Sequence, residues 1–266
     1  MSGTREKAKE SAIAAARAGG EELRTRFAQP RTIKQKANFT DLVTDADTAA
    51  EAKVLEVIQA AHPFDAILAE ESGAHRSEGP GRWLIDPLDG TTNYAHQVPH
   101  FAVSIGYEER GELVLGVVYD PMRDELFVGE KGKGATLNDA PIHVSQTQSL
   151  NAAMLATGFP YWLQERPQPL LDLFSAFIKE VQTLRRFGSA ALDLAWVAAG
   201  RYDGFFELGL KSWDVAAGSV LVEAAGGRVS GTDGLPLVVD AGHILAANGL
   251  LHARLLQVAR GVTAVP

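Results

Sequence analysis

Four short acidic segments carry the residue types that could do chemistry: Asp41-Leu-Val-Thr44-Asp-Ala-Asp47, Glu70-Glu71-Ser72, Asp86-Pro-Leu-Asp89-Gly90-Thr91 and Trp213-Asp214. Each stands at the end of an apolar run or the start of a helical one, where α/β proteins place ligands. Asp86 and Asp89 close an apolar run and Pro87 stiffens the turn, so both carboxylates and the Leu88 carbonyl can be aimed at one point. All-oxygen ligation of that kind suits Mg²⁺ rather than zinc. Carboxylates crowded into a cleft repel one another, and a cation offsets the repulsion. Two such cations close together can stabilise both the attacking and the leaving oxygen of a phosphoryl transfer.

Taken singly, each segment also has a purely structural account. Thr44-x-x-Asp47 reads as a helix capping box. Asp86-Pro87 and Asp89-Gly90 are turn dipeptides. Asp214 in the first turn of a helix is favoured by the macrodipole, and Glu70-Glu71 fits a solvated loop. Their conjunction is what points to a cation site.

Periodicity supplies the elements that must position these acids. A helix is expected over 4–27, kinked or closely packed at Gly19-Gly20, followed by a polar loop over 30–40 with Lys34 and Lys36. A second helix is expected over 45–61, and short buried strands over 66–69 and 83–85 end in Glu70-Glu71 and Asp86. Runs over 103–108, 113–119 and 125–130 read as antiparallel hairpins. Further on, helices over 170–183, 189–199, 213–225 and 250–260 alternate with strands over 204–208, 228–230 and 244–246. The expected class is α/β, with an α+β half over 1–150 bearing most of the acids and an α/β half over 151–266 bearing Asp214. No Pro/Ser-rich linker separates the halves, so they are expected to pack as one unit.

With 266 residues, 46% hydrophobic and 22% charged, the chain has globular composition and can bury a core without staples. Thirty-three acids against 25 bases leave a net charge of −8, which disfavours direct binding of nucleic acid or an anionic membrane. The absence of cysteine excludes disulfides, thiolate metal sites and cysteine nucleophiles. No apolar run approaches the ~18 residues of a membrane span, and Arg5, Lys7, Lys9, Glu10 and Arg17 break any signal-peptide core. A soluble, cytoplasmic protein is expected. Lys131-Gly-Lys-Gly134 lacks the setting of a phosphate-binding loop, and no dinucleotide fingerprint is present.

Trp83-Leu-Ile-Asp86-Pro-Leu-Asp89-Gly90-Thr91-Thr92-Asn93 and Trp213-Asp214-Val-Ala-Ala-Gly218, followed by Glu223-Ala-Ala-Gly-Gly227, resemble the two signatures of the inositol monophosphatase family. The other two acidic segments fall at the family's positions and in its order, with Ala69 where many relatives have glycine. The resemblance covers essentially the whole chain. It implies a layered αβαβα sandwich of the inositol monophosphatase / fructose-1,6-bisphosphatase superfamily. It also implies Mg²⁺-dependent hydrolysis of a phosphate monoester, with two or three ions per site. By the same resemblance, Glu70, Asp86 and the Leu88 carbonyl would hold the first metal and Asp86, Asp89 and Asp214 the second, with Glu70 supporting a third. The catalytic residues implied are Asp47 and Thr91, which would orient and deprotonate the attacking water, together with Glu70. Lys36 would lie in the family's mobile loop near the metals.

Substrate contacts would come from Leu88, Asp89, Gly90, Thr91, Arg185, Ala190, Glu207 and Asp214. The stretch from Arg185 to Ala195 resembles the bacterial inositol monophosphatase version, and Glu207 matches the glutamate that receives sugar hydroxyls. The structural alternatives are that Ser189 caps its helix, that Glu207 pairs with Lys211, and that Arg185 meets a neighbouring subunit. The expectation is a lithium-sensitive, homodimeric inositol-1-phosphate phosphatase. Two alternatives stand beside it: fructose-1,6-bisphosphatase or other sugar-phosphate activity, and a protein partner in the transcription machinery that does not need the metal site. A pure cation store is disfavoured, since no EF-hand spacing occurs and the Thr91–Asp47 pair would be superfluous.

Overall fold

The computed structural model describes residues 2–29, 32–36, 42–75 and 79–262, and Asp41 lies outside them. The first part runs α1 (Ser2–Arg26), β1 (Ile33–Gln35), β2 (Leu42–Thr44), α2 (Asp45–Ala61), β3 (Ala66–Ala69), β4 (Gly73–His75), β5 (Gly81–Asp89), α3 (Thr91–Ala95), β6 (Ala102–Glu109), β7 (Glu112–Asp120), β8 (Glu125–Glu130), β9 (Gly134–Leu137) and β10 (Ala140–Ile142). The second runs β11 (Met154–Thr157), α4 (Gln168–Glu180), β12 (Thr183–Arg185), α5 (Ala190–Ala198), β13 (Gly204–Leu208), α6 (Ser212–Ala224), β14 (Gly227–Ser230), β15 (His243–Asn248) and α7 (His252–Arg260).

Among the described residues, the strands form an eight-stranded sheet in the order β10-β9-β8-β7-β6-β5-β3-β4, a five-stranded sheet β12-β11-β13-β15-β14, and a small β1-β2 pair. Helices α1 and α2 cover one face of the large sheet, and their Ala8, Ala12, Ala15, Ala16, Ala50 and Val54 pack on Ile85, Val103 and Val117. The glycines of α1 explain its closeness to its neighbours: a Cβ on Gly19 would meet Val54 of α2, and one on Gly20 would meet Tyr119 of β7. The helix runs unbroken through both glycines, so close packing, not a kink, is their role. α5 and α6 lie between the sheets, where Val118 and Phe127 share a core with Leu194, Leu221 and Phe205. α4 and α7 close the outer face of the small sheet over Phe177, Phe206 and Leu255. The layers are thus αβαβα, as the resemblance implied.

Several short strands escaped the reading by periodicity, among them β9, β10, β11 and β12, and the helix expected to reach Thr183 stops at Glu180. Strands of three or four residues leave too little alternation to detect. β5 is longer than expected and runs through Asp86-Pro87-Leu88-Asp89. Asp86 pairs with Ser104 but Asp89 with Ala102, so three steps on β5 oppose two on β6. That bulge turns consecutive oxygens of the segment to one side.

One device sets the distance between the large sheet and α6. Gly106, Gly116 and Gly129 stand side by side across β6, β7 and β8. A Cβ at Gly116 would overlap the Ala217 carbonyl, and one at Gly129 would press on Leu221 Cα. The bare glycines therefore let the α6 backbone lie on the sheet, and Ser104 Oγ donates to the Trp213 carbonyl at 3.3 Å. This contact brings the N-terminus of α6, with Asp214, against the end of β5.

Candidate active site

α2 begins with a complete capping box at Thr44, and Asp47 Oδ2 accepts from Thr44 N (2.8 Å) and Thr44 Oγ1 (2.6 Å). The structural account of Thr44-x-x-Asp47 is therefore correct, but it uses only one carboxylate oxygen. Asp47 Oδ1 accepts from Thr91 Oγ1 at 2.9 Å, across 44 residues of sequence. The Thr91 hydroxyl also lies 3.0 Å from the Leu88 carbonyl. Burial pushes the Asp47 carboxyl up to about 6, against the lowering effect of the Thr44 and Thr91 bonds. Gly90, at φ +103°, turns the chain from β5 into α3, and a Cβ there would crowd the His100 carbonyl.

Next to this pair, carboxylates crowd together. Asp86 is 2% exposed and Asp89 and Asp214 keep part of their surface on the cleft. Burial raises Asp86 well above the usual carboxylate range, and Glu70, Asp89 and Asp214 each raise it further. Burial likewise raises Asp214, with Asp89 and Glu70 adding to the effect. Asp89 rises to about 6, again through burial, although Ser189 Oγ (2.6 Å) and Ala191 N (2.7 Å) donate to its Oδ2. Those two donors form the N-terminus of α5, so Ser189 both caps its helix and holds an acid. Lys211, the candidate partner of Glu207, instead gives its backbone N–H to Asp214 Oδ2 at 2.7 Å.

Glu70 and Glu71 end β3, where Lys36 Nζ reaches Glu70 Oε1 at 2.8 Å and Glu71 Oε1 at 2.5 Å. Burial works against the Lys36 charge, but the two glutamates outweigh it and hold the ammonium above its usual range. Glu51, one turn after Asp47 and 3% exposed, accepts from the backbone N–H groups of Glu71 and Ser72, both at 2.8 Å. Sequence reasoning missed Glu51, although a glutamate between Ala50 and Val54 on the apolar stripe of α2 was a visible signal.

The residue types fit hard divalent cations. Glu70, Asp86, Asp89, Asp214 and the Leu88 carbonyl supply oxygen only, neighbouring negative charges add to the rise of Asp86, Asp89 and Asp214, and Glu70 receives the Lys36 ammonium. Among the described residues no three acidic or histidine side chains stand in the geometry of a finished metal cage. Glu70 is engaged by Lys36, Asp89 by Ser189 and Ala191, and Asp214 by Lys211. The fit is therefore one of donor chemistry and placement.

In the second half, Glu207 is 8% exposed and Ala190 7%. Burial raises the Glu207 carboxyl well above its usual range, Asp214 raises it further, and Arg186 opposes the rise. Arg185 is exposed and donates to Thr183 Oγ1 (2.6 Å) and the Leu184 carbonyl (3.1 Å). Arg186, whose charge opposes the rise of Glu207, lies 5.0 Å from the Phe159 ring centroid.

Comparison with known proteins shows the family. The profile of the inositol monophosphatase family matches residues 4–264. An inositol-1-monophosphatase of Synechocystis is 46% identical over 252 residues, covering 93% of this chain and 87% of that protein. A protein of Escherichia coli named Nus factor SuhB is 43% identical over 239 residues, covering 89% and 90%. Among solved structures, an inositol monophosphatase from Anabaena superposes with a TM-score of 0.89 at 44% identity, covering 98% of each chain. The extragenic suppressor protein suhB from Bartonella henselae superposes with a TM-score of 0.90 at 38% identity, covering 94% and 97%. With its fold and nearly its whole length in agreement, the chain belongs to the inositol monophosphatase family.

Proposed function

We propose that the protein is a Mg²⁺-dependent phosphomonoesterase that releases phosphate from inositol 1-phosphate or a closely similar polyol phosphate. The observation that carries this reading is the Thr91–Asp47 hydrogen bond of 2.9 Å beside the mutually repelling Asp86, Asp89 and Asp214. Glu70, Asp86 and the Leu88 carbonyl would hold one cation and Asp86, Asp89 and Asp214 another. Bound there, Mg²⁺ supplies Lewis-acid activation of water and neutralises charge on the phosphoryl and leaving oxygens. Thr91 Oγ accepts a hydrogen from the attacking water while its own proton is directed to Asp47 Oδ1. Asp47, kept from rotating by both Thr44 donors, receives that proton. The backbone at Gly90 and the N-terminus of α5 face the phosphate oxygens, and Glu207 accepts hydroxyls of the leaving group.

Phosphate release from inositol 1-phosphate, fructose 1,6-bisphosphate, histidinol phosphate and adenosine 3′,5′-bisphosphate, with Mg²⁺ and with EDTA, tests this. Release that is Mg²⁺-dependent and highest for inositol 1-phosphate is expected. Absence of release from all four would remove the reading. Sensitivity to lithium and a homodimeric state belong to the same reading.

A second role is supported by relatives named Nus factor SuhB in Escherichia coli and Salmonella typhimurium, at 43–44% identity. We infer that the protein also engages a protein of the transcription machinery, without using the metal site. Co-purification with RNA polymerase that survives Asp89→Asn supports this role, and its absence in the wild type argues against it.

A further inference from the structure

The mechanism proposed above gives the buried carboxylate of Glu51 no task. Glu51 is 3% exposed and lies on the inward stripe of α2 among Asp47, Ala50, Val54 and Ile58. A carboxylate on such a stripe costs stability unless its oxygens are bonded. Here both are bonded: Oε2 accepts from Glu71 N and Oε1 from Ser72 N, each at 2.8 Å. Two consecutive backbone N–H groups thus close on one side chain, as they do where turns bind anions.

The turn held in this way carries the least supported of the candidate cation ligands. Asp86 and Asp89 stand on β5, between β6 and β3 within the large sheet, and Asp214 rides on α6, which lies against the glycine row. Glu70 instead opens the turn between β3 and β4, and β4 is a three-residue strand at the edge of the sheet. Short edge elements with few neighbours open most readily. Glu70 N donates to the Ile85 carbonyl at 3.1 Å, immediately before Asp86. Of the three successive amides 70–72, one is therefore tied to the strand of Asp86 and two to the helix of Asp47. Asp47 and Glu51 are one turn apart on α2, share one face and are separated by about 6 Å along its axis. Asp47 is bonded to Thr44 and Thr91, and Glu51 to the Glu70 turn.

We propose that Glu51 is a positioning residue for the cation site: it fixes the turn of Glu70 to the helix that carries Asp47, so that the Glu70 carboxylate is held at one distance from the Thr91–Asp47 pair. The proposal rests on the phosphatase reading and deepens it. Glu51 touches neither substrate nor cation, because it is buried and its oxygens face the backbone N–H groups. An outer partner that orients a ligand governs how tightly the ion is held. Once a cation is bound, it draws Glu70 into place itself, so the expected loss is one of affinity. A glutamine at 51 keeps one acceptor and turns an NH2 group toward the other N–H, which frees one side of the turn. An aspartate keeps both acceptors on a side chain one methylene shorter.

Calorimetric titration of Mg²⁺ alone into the protein tests this without substrate, beside phosphate-release kinetics. Glu51→Gln is expected to weaken Mg²⁺ binding about tenfold and to raise the Mg²⁺ needed for half-maximal release equally. Its kcat at saturating Mg²⁺ should stay within about threefold of wild type. Glu51→Asp should recover part of the loss, leaving about threefold. In a Glu70→Gln background Glu51→Gln should change Mg²⁺ binding by less than about twofold, because Glu51 acts through Glu70. Val54→Ala removes packing from the same helix and should lower the melting temperature with Mg²⁺ binding unchanged. The proposal is overturned if Glu51→Gln leaves Mg²⁺ affinity unaltered, if the loss persists undiminished beside Glu70→Gln, or if Val54→Ala reproduces it. Should Glu51→Gln not fold, Glu51→Asp decides by the same criteria. A wild type that binds Mg²⁺ but releases phosphate from no ester ends the phosphatase reading, and the titration still decides on Glu51. A wild type that binds no Mg²⁺ removes the positioning role.

Discussion

Asp47 and Glu207 are both buried carboxylates on one cleft, but they are held in opposite ways. Asp47 accepts hydrogen bonds from Thr44 N, Thr44 Oγ1 and Thr91 Oγ1, whereas Glu207 accepts none from the described residues. Its surroundings are of another kind: both carboxylate oxygens stand where a Cβ of Gly158 would be, and Asp214 and Arg186 act on its charge. The contrast fits the tasks proposed for them. A proton acceptor must keep one geometry toward water in every encounter, so the fold completes its bonding. A group that reads hydroxyls must keep its acceptors free for the ligand, so the fold constrains it sterically and leaves its bonds open.

Experiments can break or sharpen that contrast. The largest effect is expected on the bonded side: Asp47→Asn should lower kcat by about a thousandfold in a Mg²⁺-supplemented phosphate-release assay. A loss under tenfold would mean that another group takes the proton. Removing the hydroxyl with Thr91→Val should cost about a hundredfold while leaving the melting temperature nearly unchanged. Gly116→Ala places a Cβ on the Ala217 carbonyl and should lift α6, and Asp214 with it, off the sheet. A destabilisation of about 2–4 kcal/mol in urea unfolding is expected, with a higher Mg²⁺ requirement. Ser189→Ala removes the 2.6 Å donor to Asp89 and should weaken Mg²⁺ half-saturation by about tenfold, with kcat at saturation nearly retained.

The smallest effect concerns a buried histidine outside the cleft. Burial, aided by Arg123, holds His100 down at about 4. The unfolded chain takes up that proton at the ordinary histidine value near ~6.5, so between the two values the unfolded state binds more protons. Stability from this group is therefore full above ~6.5 and falls as pH drops toward 4, by about 2–3 kcal/mol. His100→Phe should flatten that part of the variant's own stability curve, so that the wild-type-minus-variant difference rises between pH 4 and ~6.5. A parallel curve would show that His100 stays neutral in neither state or in both.

Much of the acidic constellation was legible because its parts end recognisable elements. Glu70 follows the apolar run 66–69, Asp86 and Asp89 follow Trp83-Leu84-Ile85, and Asp214 opens a helix. Glu51 could have been found as a charge on an apolar stripe. Arg186 could not, because which of two consecutive arginines packs on Phe159 is decided by a tertiary contact. β11 and β12 were missed for want of length, and β5 was cut short because proline and aspartate signal a turn even where a bulge lets the strand continue.

By itself the sequence determined the order of the long helices and longer strands, the oxygen-only character of the candidate site and the family. Those properties are written in residue type and local spacing, which survive without knowledge of distant contacts. Tertiary structure alone decided which acid meets which. Thr91 bonds Asp47 across 44 positions, Ser189 bonds Asp89 across 100, and α5 packs on β13, the strand that carries Glu207. The row Gly106, Gly116 and Gly129 makes this possible, since the approach of α6 depends on three glycines becoming neighbours only when the strands pair. Contacts of that kind depend on the closing of sheets and layers, and no local pattern encodes their distance.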